Sequence, residues 1–305
     1  MSHFLAPVFA PGFFQSSPVQ IAIVVGALVA VVSAVVGVFT VLRGQSFAGH
    51  AFGDLGTTGG AGAYLVGLGP LWGFVIGGLA GAAALEAIGI QRARGRDVAT
   101  GIVLGAALGL AALFLYLDTT ASSTTGATVT ILFGSIFAVT SSTIPLVILL
   151  SAVSVATIAL LYRPLLLSSV SPELAAARGI PVRLVGGLYL LALAVAVALA
   201  ALTIGAILST ALLIGPAAAA LRLTKSPGQA MLAASLLGIA ATWIGIVLAY
   251  DSFHWPPVGN GWPVSFFVVT LVLLFYLLAG LPDRLRARTA RTDHAARGTA
   301  FEPAA

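Results

Sequence analysis

Long apolar runs alternate with short polar segments along most of the chain. The runs cover residues 19–42, 48–68, 71–90, 98–117, 144–162, 184–221, 229–250 and 264–281. An apolar stretch of about 20 residues is long enough to cross the hydrocarbon core of a bilayer as a helix. The run 184–221 is nearly twice that length, which favours two short helices with a turn near Thr203–Gly205. The pattern therefore predicts an all-α polytopic membrane protein with about nine transmembrane helices.

The composition agrees with this pattern and excludes several classes of protein. Of the 305 residues, 59% are hydrophobic and only 8% are charged, whereas an ordinary soluble domain carries about 25% charged residues. So few polar groups cannot cover a water-facing surface, which argues against a soluble enzyme and against a disordered chain. The sequence contains no cysteine, which excludes disulfides and thiolate metal sites. The basic residues do not alternate with aromatic residues, so we expect no nucleic-acid partner.

The basic residues set the predicted orientation. If nine helices cross the membrane and the N-terminus lies outside, all 14 Lys and Arg residues fall on the cytosolic side, as the positive-inside rule requires. They are Arg43, Arg92, Arg94, Arg96, Arg163, Arg178, Arg183, Arg222, Lys225, Arg284, Arg286, Arg288, Arg291 and Arg297. We therefore expect an extracytoplasmic N-terminal segment (1–18), a transmembrane domain (19–281) and a basic cytosolic tail (282–305).

Few ionisable residues fall within the apolar runs, and each is a candidate functional residue because charge at membrane depth is costly. His50 and Asp54 are four residues apart and share one face of the second predicted helix, with Ser46 one turn earlier. An imidazole, a carboxylate and a hydroxyl suit Zn²⁺, Mn²⁺ or Fe²⁺. The alternative is a His–Asp hydrogen bond that neutralises two polar groups inside a helix bundle. Two strong ligands do not complete a tetrahedral site, so a metal role would be that of a transient pathway site.

Four other residues, two within the apolar runs and two directly after them, have two interpretations each. Glu86 lies near the inner end of the third predicted helix, where it either pairs with a nearby arginine or faces a transport pathway. Pro216 is expected to kink its helix, either for packing or at the pathway. Asp118 and Asp251 lie at predicted outer helix ends, so we expect both to be solvated, although outer carboxylates also attract cations.

Glycine recurs every four residues on two predicted helices. The third carries Gly73, Gly77 and Gly81, and the fourth carries Gly101, Gly105 and Gly109. This spacing places each set on one helix face, where backbones can approach closely. We expect tight helix packing within the chain; the alternative is a subunit interface.

A polar insert follows the fifth predicted helix and carries helix-capping signals. Ser171 is a favourable N-cap, Pro172 suits the first helical position, and Glu173 in the first turn complements the helix dipole. Gly179 is a typical residue at a helix C-terminus. The insert therefore predicts a two-turn helix over residues 172–178 on the cytosolic side, either as a plain connector or as a rigid contact for a soluble partner.

Four segments together resemble the membrane permease subunit of zinc/manganese-type ABC importers. They are residues 97–103 (DVATGIV), 132–137 (LFGSIF), 171–183 (SPELAAARGIPVR) and 205–220 (GAILSTALLIGPAAAA). The matching blocks follow the family order from about residue 43 to residue 281, which covers nearly the whole membrane portion.

The resemblance implies a homodimeric permease in the bacterial cytoplasmic membrane. Such a permease binds two copies of a cytosolic ABC ATPase and receives cargo from an extracytoplasmic metal-binding protein. The segment near 171–183 would be the coupling helix that enters a cleft on the ATPase. The residues that we place in this contact are Pro172, Glu173, Leu174, Ala177, Arg178 and Gly179.

The resemblance also implies a metal pathway on the second helix, with one departure. The family commonly has an aspartate four residues before the pathway histidine, whereas this chain has Ser46 there and Asp54 four residues after His50. The helix face is retained, but the carboxylate has moved by two turns. This supports cation transport and leaves the choice between zinc and manganese open.

These observations predict a permease subunit of an ATP-driven importer for a divalent transition-metal ion. The chain lacks the phosphate-binding motif of ATPases, so it is not expected to be an enzyme, and ATP hydrolysis would belong to a partner. The metal ion would be the transported substrate, and we expect no covalently bound cofactor. The alternatives are an ABC permease for a metal chelate or vitamin and, from a different class, an ion-coupled secondary transporter.

Overall fold

The computed structural model describes residues 13–87, 96–121, 126–255 and 261–281, and within these ranges the chain is helical, without strands. The α-helices are α1 (Ser17–Leu42), α2 (Ser46–Leu65), α3 (Pro70–Ala87), α4 (Arg96–Ala121), α5 (Gly126–Phe133), α6 (Ile144–Leu160), α7 (Tyr162–Val170), α8 (Pro172–Ala177), α9 (Val182–Ile204), α10 (Ser209–Leu223), α11 (Pro227–Asp251) and α12 (Val264–Ala279). Single turns of 3₁₀-helix cover Phe13–Gln15, Ile136–Ala138, Ser141–Thr143 and Ser252–His254. The residues of the predicted N-terminal segment before 13 and the tail from 282 lie outside the described ranges.

Helices α1 and α9 form the centre of the molecule. Helix α1 contacts α6, α9, α10 and α11, and α9 also contacts α2, α3 and α6. Both are apolar on nearly all sides; Val25, Val36, Leu193 and Val197 are fully buried or nearly so. Helices with this composition are stable only when other helices surround them or lipid does. The remaining helices therefore pack around this central pair.

The α3 glycines allow unusually close contact with α2. A Cβ on Gly73 would lie 2.2 Å from the carbonyl oxygen of Gly59, and a Cβ on Gly81 would lie 2.4 Å from Leu55 Cδ1. No side chain larger than hydrogen fits at such distances. The expected packing within the chain is confirmed for the α3 glycines.

The α4 glycines do not behave in the same way. Gly101, Gly105 and Gly109 are exposed, and a Cβ on any of them would meet no heavy atom of the described chain within 4 Å. The expectation of packing within the chain is therefore wrong for this face of α4. The spacing that predicts close approach does not by itself identify a partner helix.

The turn predicted near Thr203–Gly205 is present. Helix α9 ends at Ile204, and Gly205 has φ +88°, a conformation that side chains strongly disfavour. The N–H groups of Ala206 and Ile207 donate to the carbonyl oxygens of Ile131 and Leu132 at distances of 3.0 and 3.3 Å. The last carbonyl groups of a helix have no hydrogen-bond partner within that helix. The break between α9 and α10 therefore supplies the N–H donors for the last carbonyl groups of α5.

The region around Asp118 differs from the expected polar loop. Helix α4 continues to Ala121, and Asp118 is only 2% exposed, so the expectation of a solvated carboxylate is wrong. The threonines that follow belong to the helix, and their hydroxyls donate to carbonyls of the preceding turn instead of to water; Thr120 Oγ1 lies 2.8 Å from the oxygen of Tyr116. The polar insert after α6 also differs from the prediction. It contains a further helix, α7, which the hydropathy pattern does not separate from its neighbours.

Five helices of the described residues are long and apolar enough to cross a membrane. They correspond to Ser17–Leu42, Gly101–Thr120, Ser141–Leu160, Val182–Ile204 and Pro227–Asp251, and three shorter apolar helices cover Pro70–Ala84, Ser209–Leu223 and Val264–Ala279. Helix α2 is long enough but less apolar, because it carries His50, Asp54 and two threonines. The most polar of the long helices is thus the one with the candidate metal ligands.

Candidate metal pathway and coupling surface

His50 and Asp54 lie side by side on α2. The distance from His50 Nε2 to Asp54 Oδ2 is 3.8 Å, and the side chains are 56% and 20% exposed, respectively. This separation is longer than a hydrogen bond. Two ligands of one metal ion, each about 2.1 Å from it, are about 3.0–3.5 Å apart. A small side-chain movement would therefore allow both groups to bind the same ion.

The other polar side chains of α2 are less available. Thr57 Oγ1 donates to the carbonyl oxygen of Gly53 at 2.8 Å, and Thr58 Oγ1 donates to that of Ala107 on α4 at 2.7 Å. The Thr57 hydrogen bond lies within α2, whereas that of Thr58 joins α2 to α4. Ser46 is half-buried one turn before His50, so the face retains a hydroxyl, an imidazole and a carboxylate.

The described residues contain no group of three or more His, Cys, Asp or Glu side chains that could hold a metal ion. A tight structural site needs a closed set of about four ligands. The pair on α2 instead suits a weak site whose remaining positions are filled by water or by groups from another molecule. Weak binding is what a transport pathway requires, because the ion must leave.

The other candidate residues are separate from this pair. Glu86 is in the last turn of α3, but its side chain lies outside the described part. Pro216 is buried in a continuous α10, and a Cβ on the preceding Gly215 would lie 2.1 Å from Val272 Cγ1, so this part of α10 packs closely on α12. Asp251 accepts a hydrogen bond of 3.2 Å from Trp255 Nε1.

Helix α8 presents nearly all of its surface to solvent. The Ser171 hydroxyl accepts a 3.2 Å hydrogen bond from the N–H of Leu174, as an N-cap does, and Gly179 ends the helix with φ +77°. Only Ala175 is buried. The exposed set is Pro172, Glu173, Leu174, Ala176, Ala177, Arg178 and Gly179. An exposed leucine between charged side chains on a capped helix is suitable for contact with another protein.

A polar cluster that the sequence did not predict joins the end of α1 to α7 and α9. The Nη1 of Arg43 donates to Ser168 Oγ at 3.0 Å, and the guanidinium lies 5.2 Å from the ring centroid of Tyr189. The residues are far apart in the chain, so spacing could not bring them together. The one available signal was that Arg43 is an isolated cation directly after the first apolar run.

Comparisons with known proteins agree with this architecture. The model of the ABC 3 transport family matches residues 15–279. The chain is 33% identical over 243 residues to the manganese transport system membrane protein MntC of Listeria monocytogenes, covering 80% of this chain and 85% of that protein. It is 31% identical over 243 residues to the manganese import system permease protein ScaB of Streptococcus parasanguinis, with the same coverage.

A solved structure has the same fold. The structure of PsaBC from Streptococcus pneumoniae in complex with Fab includes a chain that superposes with a TM-score of 0.74 at 26% sequence identity. The match covers 88% of this chain and 93% of the other. From the family match over most of its length and from these relatives, the chain belongs to the ABC 3 transport family.

Proposed function

We propose that this chain is the permease subunit of an ATP-driven importer that moves a divalent transition-metal ion (zinc, manganese or iron) across the bacterial cytoplasmic membrane. The observation that carries the proposal is the similarity over most of the chain to manganese permeases. The His50–Asp54 pair supports it, because an imidazole and a carboxylate are suitable ligands for these ions.

In this proposal nine helices cross the membrane, namely α1, α2, α3, α4, α6 and α9–α12. Residues 1–18 are extracytoplasmic, 19–281 form the permease domain, and 282–305 form a cytosolic tail. The described cations support this orientation, since each lies at or between helix ends that it assigns to the cytosol. Those in fully described connections are Arg43, Arg163, Arg178, Arg183, Arg222 and Lys225.

The permease itself does no chemistry, and two copies of a cytosolic ATPase supply the energy. Helix α8 docks on the ATPase through Pro172, Glu173, Leu174, Ala177, Arg178 and Gly179. Closure of the ATPase dimer moves α8 in each of two permease copies, and the membrane helices then alternate between outward-open and inward-open arrangements. An extracytoplasmic metal-binding protein delivers the ion.

The ion passes α2 during this cycle. His50 and Asp54 act as its ligands, Ser46 adds an oxygen, and water completes the coordination. Because the ligands are few, the site holds the ion briefly. Glu86 and Pro216 are secondary candidates for the pathway.

The test is uptake by the assembled complex in proteoliposomes, measured for a panel of metal ions and metal chelates. We expect ATP-dependent uptake of one or more free divalent ions. Uptake of chelates alone would support an ABC permease for a chelate or vitamin. Uptake by the permease without any ATPase would contradict both and support an ion-coupled transporter.

A further inference from the structure

We propose that Arg43 is a positioning residue that connects the ATPase-docking segment to the metal-carrying helix. This inference rests on the proposed function and names the residue through which movement of α7 and α8 reaches α2. The relevant contacts involve the end of α1, helix α7 and the first part of α9.

The first link is between Arg43 and α7. Arg43 Nη1 donates to Ser168 Oγ at 3.0 Å, and Ser168 is 4% exposed, so water competes little for this hydrogen bond. Hydrogen bonds with a charged partner are stronger than neutral ones. The Ser168 hydroxyl in turn donates to the carbonyl oxygen of Leu165 at 3.1 Å, which fixes its orientation.

The second link is between α7 and α8. Ser171 is the only residue between the end of α7 at Val170 and the start of α8 at Pro172. Its backbone N–H donates to the oxygen of Leu167, and its side chain caps α8. Its carbonyl oxygen accepts from the N–H of Ala175. With its N–H, its carbonyl and its hydroxyl all used in this way, the junction has little freedom, and a displacement of α8 moves α7 with it.

The third link is between Arg43 and α2. Only Arg43, Gly44 and Gln45 separate α1 from α2. Gly44 has φ +63°, and the Gln45 N–H donates to the oxygen of Thr40 at 2.9 Å, so the connection is a tight turn. A displacement of Arg43 is therefore transmitted through only two residues to the first turn of α2.

The Arg43 guanidinium also contacts a buried aromatic ring of the core. Tyr189 of α9 is fully buried, its ring lies 5.2 Å from Arg43 Cζ, and its hydroxyl donates to Thr40 Oγ1 at 2.9 Å. The planar guanidinium can stack on this ring and still donate sideways to Ser168. A lysine cannot make both contacts in this geometry.

The cluster also contains groups for a second arrangement. Arg43 Nε, a donor, and Gln45 Oε1, an acceptor, are both buried without a hydrogen-bond partner in the described structure. The two residues lie on either side of Gly44. If α7 moves and Ser168 leaves Arg43, a hydrogen bond can form between Arg43 Nε and Gln45 Oε1. Because both atoms are unpaired in the present arrangement, forming it breaks no other hydrogen bond.

The experiment measures metal ions transported per ATP hydrolysed by the assembled complex in proteoliposomes. We expect Ser168→Ala, Arg43→Lys and Arg43→Gln each to lower this ratio about 3- to 10-fold, in the range typical of substitutions along coupled networks, while ATPase subunits remain bound. Ser169→Ala is the matched control, because within the described residues that hydroxyl donates to Leu165 of its own helix and to no other helix. It should leave the ratio unchanged.

A double variant separates coupling from simple loss of structure. If the two residues act through one contact, adding Ser168→Ala to Arg43→Gln should lower the ratio no further than Arg43→Gln alone. Wild-type ratios for Ser168→Ala and Arg43→Gln, or an equal loss in Ser169→Ala, would overturn the role of Arg43. Absence of ATP-dependent metal uptake in the wild-type complex would instead overturn the proposed function.

Discussion

The carbonyl oxygen of Leu132 lies so close to Gly205 that a Cβ on the glycine would be 2.2 Å away. This close approach joins the end of α5 to the break between α9 and α10, where the N–H groups of Ala206 and Ile207 donate to the carbonyl oxygens of Ile131 and Leu132. In lipid, unpaired backbone groups are very costly. The junction therefore requires glycine both for space and for its φ of +88°.

Replacing Gly205 should destabilise the protein. We expect Gly205→Ala to lower the free energy of unfolding by about 2–4 kcal/mol, because backbone strain and steric overlap act together. The measurement is a thermal or denaturant unfolding curve of the purified permease in detergent.

The matched control for this change is Gly187→Ala in α9. A Cβ there meets no heavy atom of the described residues within 4 Å, and alanine favours a helix over glycine by about 1 kcal/mol. We expect neutral or slightly raised stability. Equal losses in the two variants would show that the junction is not specially constrained.

The helical breaks and caps could be predicted because local residues encode them. Ser171 and Pro172 mark the start of α8, and Gly205 marks the end of α9, each through short-range backbone geometry. The Arg43–Ser168 contact joins residues 125 positions apart, and no local pattern specifies such a pair. The expectation for Asp118 is wrong because a position at the end of an apolar run does not show which way the side chain points.

The site on α2 could be predicted only in part. The four-residue spacing of His50 and Asp54 places them on one helix face, which needs no tertiary information. The Thr58 hydroxyl is not available to a metal ion because it donates to the carbonyl of Ala107 on α4. That hydrogen bond depends on how the two helices pack, which the spacing does not specify. Whether a second chain adds ligands lies beyond what one sequence specifies.

The orientation can be tested with single cysteines, since the native chain has none. Leu68→Cys lies in the exposed turn between α2 and α3, and Lys225→Cys lies in the exposed turn between α10 and α11, outside the docking segment. We expect a membrane-impermeant maleimide to label Leu68→Cys in intact cells or spheroplasts, and Lys225→Cys only after permeabilisation. The reverse labelling pattern would contradict an outside N-terminus with nine helices.

Charge reversal on α8 should break the contact with the ATPase. Glu173 is exposed beside Leu174, and a reversed charge at a complementary interface costs several kcal/mol. We expect Glu173→Lys to lose co-purification of the ATPase and ATP-dependent uptake while the permease stays folded.

Lys225→Glu is the control for that variant. It changes charge in the exposed turn between α10 and α11, outside the docking segment. We expect it to retain the ATPase. Intact assembly and transport by Glu173→Lys would show that α8 is not the coupling helix.

The metal pathway gives the most specific prediction. His50→Ala combined with Asp54→Ala should reduce uptake of the transported ion at least about tenfold, because no other strong ligand is close in the described chain. Thr57→Val is the control, since the Thr57 hydroxyl is already committed to the carbonyl of Gly53. Adding Ser46→Asp to Asp54→Ala should recover part of the uptake, since it restores a carboxylate one turn from His50 on the same face. Wild-type uptake by the His50–Asp54 double variant would exclude both residues as pathway ligands, whereas loss without recovery by Ser46→Asp would show that the position of the carboxylate is essential.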